Sequence, residues 1–109
     1  MSEIVALTDA NFNAEVVESD VPVMVDFSAT WCGPCQALHP IIEGIAPEYD
    51  GKVKIGTIDI DNNRETPGKY QIMAVPTLIF FRDGMPVDRY TGLLGKNDLK
   101  KKLDALLEG

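Results

Sequence analysis

Apolar and polar positions along the chain fall into short segments with one of two periods. Residues 4–7 form a brief apolar run of strand length. Thr8 then stands as an N-cap for a helix over about 9–18, with Phe12, Val16 and Val17 on its apolar face. Residues 22–28 alternate: Val23, Val25 and Phe27 take one face of a strand, Met24, Asp26 and Ser28 the other. The first face is wholly apolar and the element short, which predicts a central strand covered on both sides. A long helix follows, from about 32 or 34 to 49, with Leu38, Ile41, Ile42, Ile45 and Tyr49 at helical spacing. Pro40 predicts a kink in it, and Pro47 predicts a frayed end. Residues 53–59 read as the next strand, and 62–70 as a short helical or irregular connector broken by Pro67-Gly68. Strands over 77–82 and 87–91 flank Asp83-Gly84, a strong hairpin signal. The last helix, about 96–107, carries Leu99, Leu103, Leu106 and Leu107 on its stripe. The resulting order, β-α-β-α-β-α-β-β-α, predicts an α/β fold: a mixed sheet with helices on both faces.

Composition narrows this picture. A chain of 109 residues has room for a single domain spanning 1–109 and can bury a core without staples. No apolar run is long enough to span a bilayer, and the N-terminus lacks a basic-then-apolar signal pattern, so the expected location is cytoplasmic. A net charge of −7 disfavours nucleic acid and anionic membranes as partners. Cys32 and Cys35 are the only cysteines, too few for a structural disulfide framework, which leaves a metal fragment or a redox device.

The run Trp31-Cys32-Gly33-Pro34-Cys35 lies between a strand and the start of a helix. At this spacing the two sulfurs can come close enough to bond. Unpaired N–H groups and the positive end of the helix dipole favour a thiolate at Cys32, the species that attacks disulfides. Pro34 fits the first turn, where a missing N–H costs nothing, and Gly33 leaves the approach to Cys32 open. Cys35, one turn in, suits the resolving role. Inert buried cysteines are the bland alternative. A zinc site from Cys32, Cys35 and His39 would lack a fourth ligand, and His39 by itself reads as a solvent-facing rim residue. Asp26 lies within an apolar strand. Burial should raise its pKa and make it either a proton acceptor for Cys35 or a hydrogen-bonded structural acid.

These residues carry a resemblance. Val25-Asp26-Phe27, Ala29, Trp31-Cys32-Gly33-Pro34-Cys35, Pro40, Asp59 and Asp61, Val75-Pro76-Thr77, the Asp83-Gly84 turn and Gly92 are together similar to the thioredoxin family over essentially the whole chain. The resemblance implies the thioredoxin fold, a central mixed β-sheet flanked by helices on both faces. It implies a protein-disulfide reductase with Cys32–Cys35 as redox-active disulfide, Cys32 attacking, Cys35 resolving and Asp26 as buried proton acceptor. Pro76 would be a cis-proline against the disulfide, although without the resemblance a trans-proline opening a strand is the simpler reading. Substrate polypeptide would lie against Trp31, Gly33, Pro34, Val75, Pro76 and Gly92, pairing its backbone with Val75.

The implied partners are thioredoxin reductase and disulfide-containing proteins. The protein would be a monomer using no cofactor and no metal, with neither nucleic acid nor membrane as partner. The competing class is a binding module or structural subunit that uses the fold without turnover. An oxidase or isomerase is disfavoured by Gly33-Pro34, and a glutaredoxin by the lack of any sign of a glutathione pocket. Four positions depart from the family pattern. Ser28 stands for an aromatic beneath the loop and should loosen loop support. Thr57 stands for a lysine near the acid and should leave Asp26 holding its proton more tightly. Gln36 removes a positive charge after the second cysteine, and Pro47 is atypical in the long helix.

Overall fold

The computed structural model describes residues 4–109. Five strands form one sheet in the order β1-β3-β2-β4-β5: β1 (Ile4–Leu7), β2 (Val23–Ser28), β3 (Lys54–Asp59), β4 (Thr77–Arg82) and β5 (Met85–Thr91). β3 runs parallel to both β1 and β2, whereas β4 is antiparallel to β2 and to β5, so the sheet is mixed as the segment order requires. β2 is central, and its residues Val23 to Phe27 are all buried. Its two faces feed two separate cores. Met24 joins residues of helix α1 (Gly33–Ile45) and helix α3 (Lys96–Glu108). Val23, Val25 and Phe27 pack on the opposite side with Phe12, Val16, Ile58, Ile79 and Phe81.

The helices differ from expectation mainly at their ends. Thr8 and Asn11 cap each other: Asn11 N–H donates to Thr8 Oγ1 at 3.1 Å, and Thr8 N–H to Asn11 Oδ1 at 2.7 Å. The turn beyond winds as a π-helix over Asn13–Val17, not a regular α-helix over 9–18. Its wider bond runs from Glu18 N–H to the Asn13 carbonyl at 3.0 Å, reinforced by the Asn13 side-chain amide donating to Glu18 at 2.9 Å. Helix α1 passes unbroken through Pro40, which lies on its exposed side. It ends at Ile45, and the chain tightens into a 3₁₀ turn, Ala46–Tyr49, where Pro47 lacks the donor needed to continue.

A short helix α2 (Glu65–Lys69) carries Pro67 and Gly68 inside it. The Asp83-Gly84 turn has φ of 53° and 78° at its two residues, the two-residue hairpin geometry for which glycine is suited. β5 begins two residues earlier than expected because it is an edge strand: Pro86 sits beside a register shift at Phe80/Phe81, where a missing N–H leaves no central ladder bond unmade. On α3, Leu99, Leu103 and Leu106 are buried, but Leu107 points outward and is exposed. Four leucines at these spacings cover more than the buried arc, and the edge of the stripe faces solvent.

Candidate active site

The site is built where β2 ends and α1 begins, at the carboxyl end of the central strand. Cys32, in an extended conformation, is the N-cap of α1, and Pro34 occupies the first turn. Cys32 and Cys35 are joined as a disulfide with their Cα atoms 5.2 Å apart. The Cys35 N–H, one of the donors the helix start leaves free, points at Cys32 Sγ from 3.2 Å. That places the positive end of the helix at one sulfur only. The asymmetry between the two cysteines therefore lies in these N–H groups and in the open approach at Gly33, which no residue beyond its own helix start crowds. It does not lie in exposure, since both are buried, at 5% and 2%.

Two further segments come together beside the pair. Val75 packs against the cluster of Ala29, Cys32 and Cys35, and its carbonyl oxygen lies 3.7 Å from Cys32 Sγ. The Val75–Pro76 peptide is cis. Pro76 is buried, and its carbonyl accepts the N–H of Gly92 at 2.8 Å, which binds the Gly92 turn to the Val75 segment. Gly92 has a φ of 110°, a conformation L side chains rarely adopt. Thr77 Oγ1 donates to the Ala74 carbonyl at 2.7 Å and braces the same loop.

Trp31 is 67% exposed, with its indole N–H donating to Asp61 at 2.7 Å. This polar anchor was not derivable from sequence spacing, because the two residues are brought together only by the β3 carboxyl end lying beside β2. Met73, 92% exposed, and Leu93, 48% exposed, flank the Val75 and Gly92 segments in sequence and add apolar surface. The available signal for them was an apolar residue inside each polar loop beside a candidate rim residue.

Asp26 sits on the α1 face of β2, between Thr57 of β3 and Leu78 of β4. It is 2% exposed, and its Oδ1 has no hydrogen-bond partner. Burial pushes its carboxyl up to about 6, and the nearby charge of His39 works in the opposite direction. Thr57 does not rescue it, because the Thr57 hydroxyl donates to the Asp26 main-chain carbonyl at 3.3 Å and not to the carboxyl group. One oxygen of Asp26 thus lacks the hydrogen bond that a structural acid would hold. His39 is exposed, on the rim of α1, with Glu43 at 3.5 Å. Among the described residues no three His, Cys, Asp or Glu side chains are grouped to hold a metal ion, so the zinc alternative finds no ligand set.

A family model described as Thioredoxin matches residues 3–105. Among curated proteins, the thioredoxins of Staphylococcus aureus strains Mu50, MW2 and N315 are each 48% identical over 101 residues, covering 93% of this chain and 95% of the relative.

Proposed function

The chain belongs to the thioredoxin family and is a thiol–disulfide oxidoreductase, and from that premise we propose how its residues divide the reaction. Reduced Cys32 attacks a substrate disulfide as thiolate, forming a mixed disulfide and releasing the first substrate sulfur as thiolate. Cys35 then loses its proton to the Asp26 carboxylate, attacks Cys32 Sγ, and expels the second substrate sulfur as thiolate. Two electrons pass to the substrate, and the Cys32–Cys35 disulfide remains. The observation that carries this assignment is the helix-start N–H of Cys35 on Cys32 Sγ at 3.2 Å, which favours negative charge on that sulfur.

Substrate backbone pairs with Val75 as an added extended segment, and Trp31, Gly33, Pro34, Pro76 and Gly92 form the surrounding rim. Family membership implies thioredoxin reductase and disulfide-bearing proteins as partners. The protein acts as a monomeric single domain over 1–109 in the cytoplasm, without cofactor, metal, nucleic acid or membrane. Its charge of −7 supports the exclusion of polyanions. No described helix is long and apolar enough to cross a membrane.

The test is reduction of insulin disulfides driven by NADPH and a thioredoxin reductase. Cys35→Ser should trap covalent mixed disulfides with protein targets, and Cys32→Ser should trap none. Equal trapping by both would reverse or void the assignment. The exposed apolar surface of Trp31, Met73 and Leu93 supports a second reading, a binding module. A double Cys→Ser variant with full cellular function would favour that reading over turnover.

A further inference from the structure

Behind Cys35, on the side away from Val75, lies a cavity of about 640 Å³ that the steps above leave unused. Half-buried Ser28 and Thr57 form its floor with buried Cys35, and exposed Gln36, His39 and Asn62 form its mouth. Ser28, Thr57 and Asp26 lie on the same face of the sheet, and Thr57 is the direct cross-strand neighbour of Asp26. The cavity therefore joins solvent to the surroundings of a carboxyl group whose Oδ1 has no partner.

The charges around it are few. From α1 comes His39, with Glu43 beside it. From β3 comes Asp59, whose two oxygens are taken up by the Asp61 N–H at 2.9 Å and the Asn62 amide at 2.8 Å. β1 and its following turn contribute Ala6, Leu7 and Thr8, β2 contributes Ser28 and Ala29, and Leu78 flanks Asp26 from β4. No lysine or arginine lines the cavity, so His39 is the lining residue that can place a positive charge opposite Asp26.

We propose that His39 is a positioning residue for the resolving step: its imidazolium, held at the cavity mouth, keeps Asp26 ionised and ready to take the Cys35 proton. The inference rests on Asp26 being that acceptor. The balance is simple. The Cys35 S–H bond breaks, its proton passes to the Asp26 carboxylate and leaves through the cavity to solvent, and the Cys35 electron pair forms the new S–S bond as the substrate thiolate departs. The apolar lining of Ala6, Leu7, Ala29 and Cys35 makes one charge beside it count for more than it would among solvated polar groups. Burial pushes the Asp26 carboxyl up to about 6, so well above that pH it is ionised without help from a neighbouring charge. The assistance should therefore fade as pH rises.

The experiment uses an aromatic disulfide whose two released thiolates are coloured: the first marks capture by Cys32, the second closure by Cys35. His39→Gln should slow the second phase roughly threefold at pH 6, with the deficit vanishing towards pH 8. His39→Lys, which keeps a positive charge at the cavity mouth, should keep the wild-type rate at pH 6 and, because Asp26 is ionised without help at pH 8, match it there as well. A His39→Gln protein with the wild-type second phase at every pH overturns the inference. So does His39→Lys behaving like His39→Gln at pH 6. Asp26→Asn separates the two layers. If it slows closure while His39→Gln does not, only the role of His39 falls. If Asp26→Asn leaves closure unchanged, the role of Asp26 falls and that of His39 with it.

Discussion

The two faces of the sheet solve the same packing problem with different materials. On one face Phe81 meets Phe12 and Tyr70 edge to face at centroid distances of 5.8 and 5.4 Å, Phe12 and Tyr70 lie tilted at 5.6 Å, and Phe27 adds a fourth ring 6.4 Å from Tyr70. Arg89 closes that side by donating to the carbonyls of Tyr70 and Gln71. On the other face α1 and α3 lay aliphatic side chains over Met24, Ile55 and Phe80, but towards the disulfide the apolar surface gives way to Asp26, Thr57, Ser28 and an open cavity. The closed face has no titratable group among its fully buried core residues, and the vented face holds one 2% exposed carboxyl directly beneath the active-site helix. Both faces bury an apolar core, but a fully buried carboxyl lies only on the second.

The sharpest way to break this contrast is to damage the closed face. Phe81 is fully buried, with two ring partners, on a strand end remote from the cysteines. Phe81→Ala should cost about 3–5 kcal/mol of unfolding free energy, measured by urea titration. The rate of disulfide exchange by the fraction still folded should stay the same. A slowed rate in folded protein would mean that the closed face also shapes the site.

The next effect has the opposite sign. The carboxyl of Asp26 is pushed from 3.8 up to about 6 by burial. The folded state then holds its proton more tightly than the unfolded chain does. The associated stability is complete below about pH 4 and is lost as pH rises through about 6. Relative to wild type, Asp26→Asn should gain about 3 kcal/mol between pH 4 and pH 7. Denaturant titrations of the oxidised protein at several pH values would show this. A difference that does not change with pH would mean the carboxylate is solvated through the cavity, making the vented face wetter than its 2% exposure suggests.

How far sequence could reach follows the same division. The strands were legible because alternation in β2 and the Asp83-Gly84 turn are local signals, and the turn has the positive φ values its residues favour. The disulfide pair was legible because a strand-to-helix junction fixes where the N–H groups point. Asp26 stood out as one acid in an apolar strand. What was not legible depended on residues far apart. The π-helical turn at Asn13–Val17 is tied by Lys54, whose ammonium donates to the Glu15 carbonyl at 2.9 Å from across the fold. The extra length of β5 depends on its being an edge, a fact of topology that Pro86 alone suggests against. Ser28 and Thr57 were visible as small residues in unusual places, but a cavity is a property of what β1, β3 and α1 fail to fill together. His39 read as a rim residue, and it is one; the space behind it was the missing observation.

The smallest effect concerns that space. Ser28 is half-buried on the cavity floor, and the free volume of about 640 Å³ is ample for a larger side chain. Ser28→Phe should therefore bury apolar area without forcing its neighbours off their rotamers, a gain of about 1 kcal/mol. On a domain of this size the gain should raise the melting temperature by about 4–8 °C. The active-site turn should tolerate the change, because it is held by bonds that do not involve the Ser28 side chain. Trp31 is anchored to Asp61, the Gln36 amide donates to the Thr30 carbonyl at 2.8 Å, and the Ile60 N–H donates to the Ser28 carbonyl at 3.0 Å. Filling the cavity also closes the exit proposed for a proton on Asp26, so the second phase of the coloured-disulfide reaction should slow while stability rises. A Ser28→Phe protein that is both more stable and equally fast would show that venting is a packing defect and not part of the chemistry.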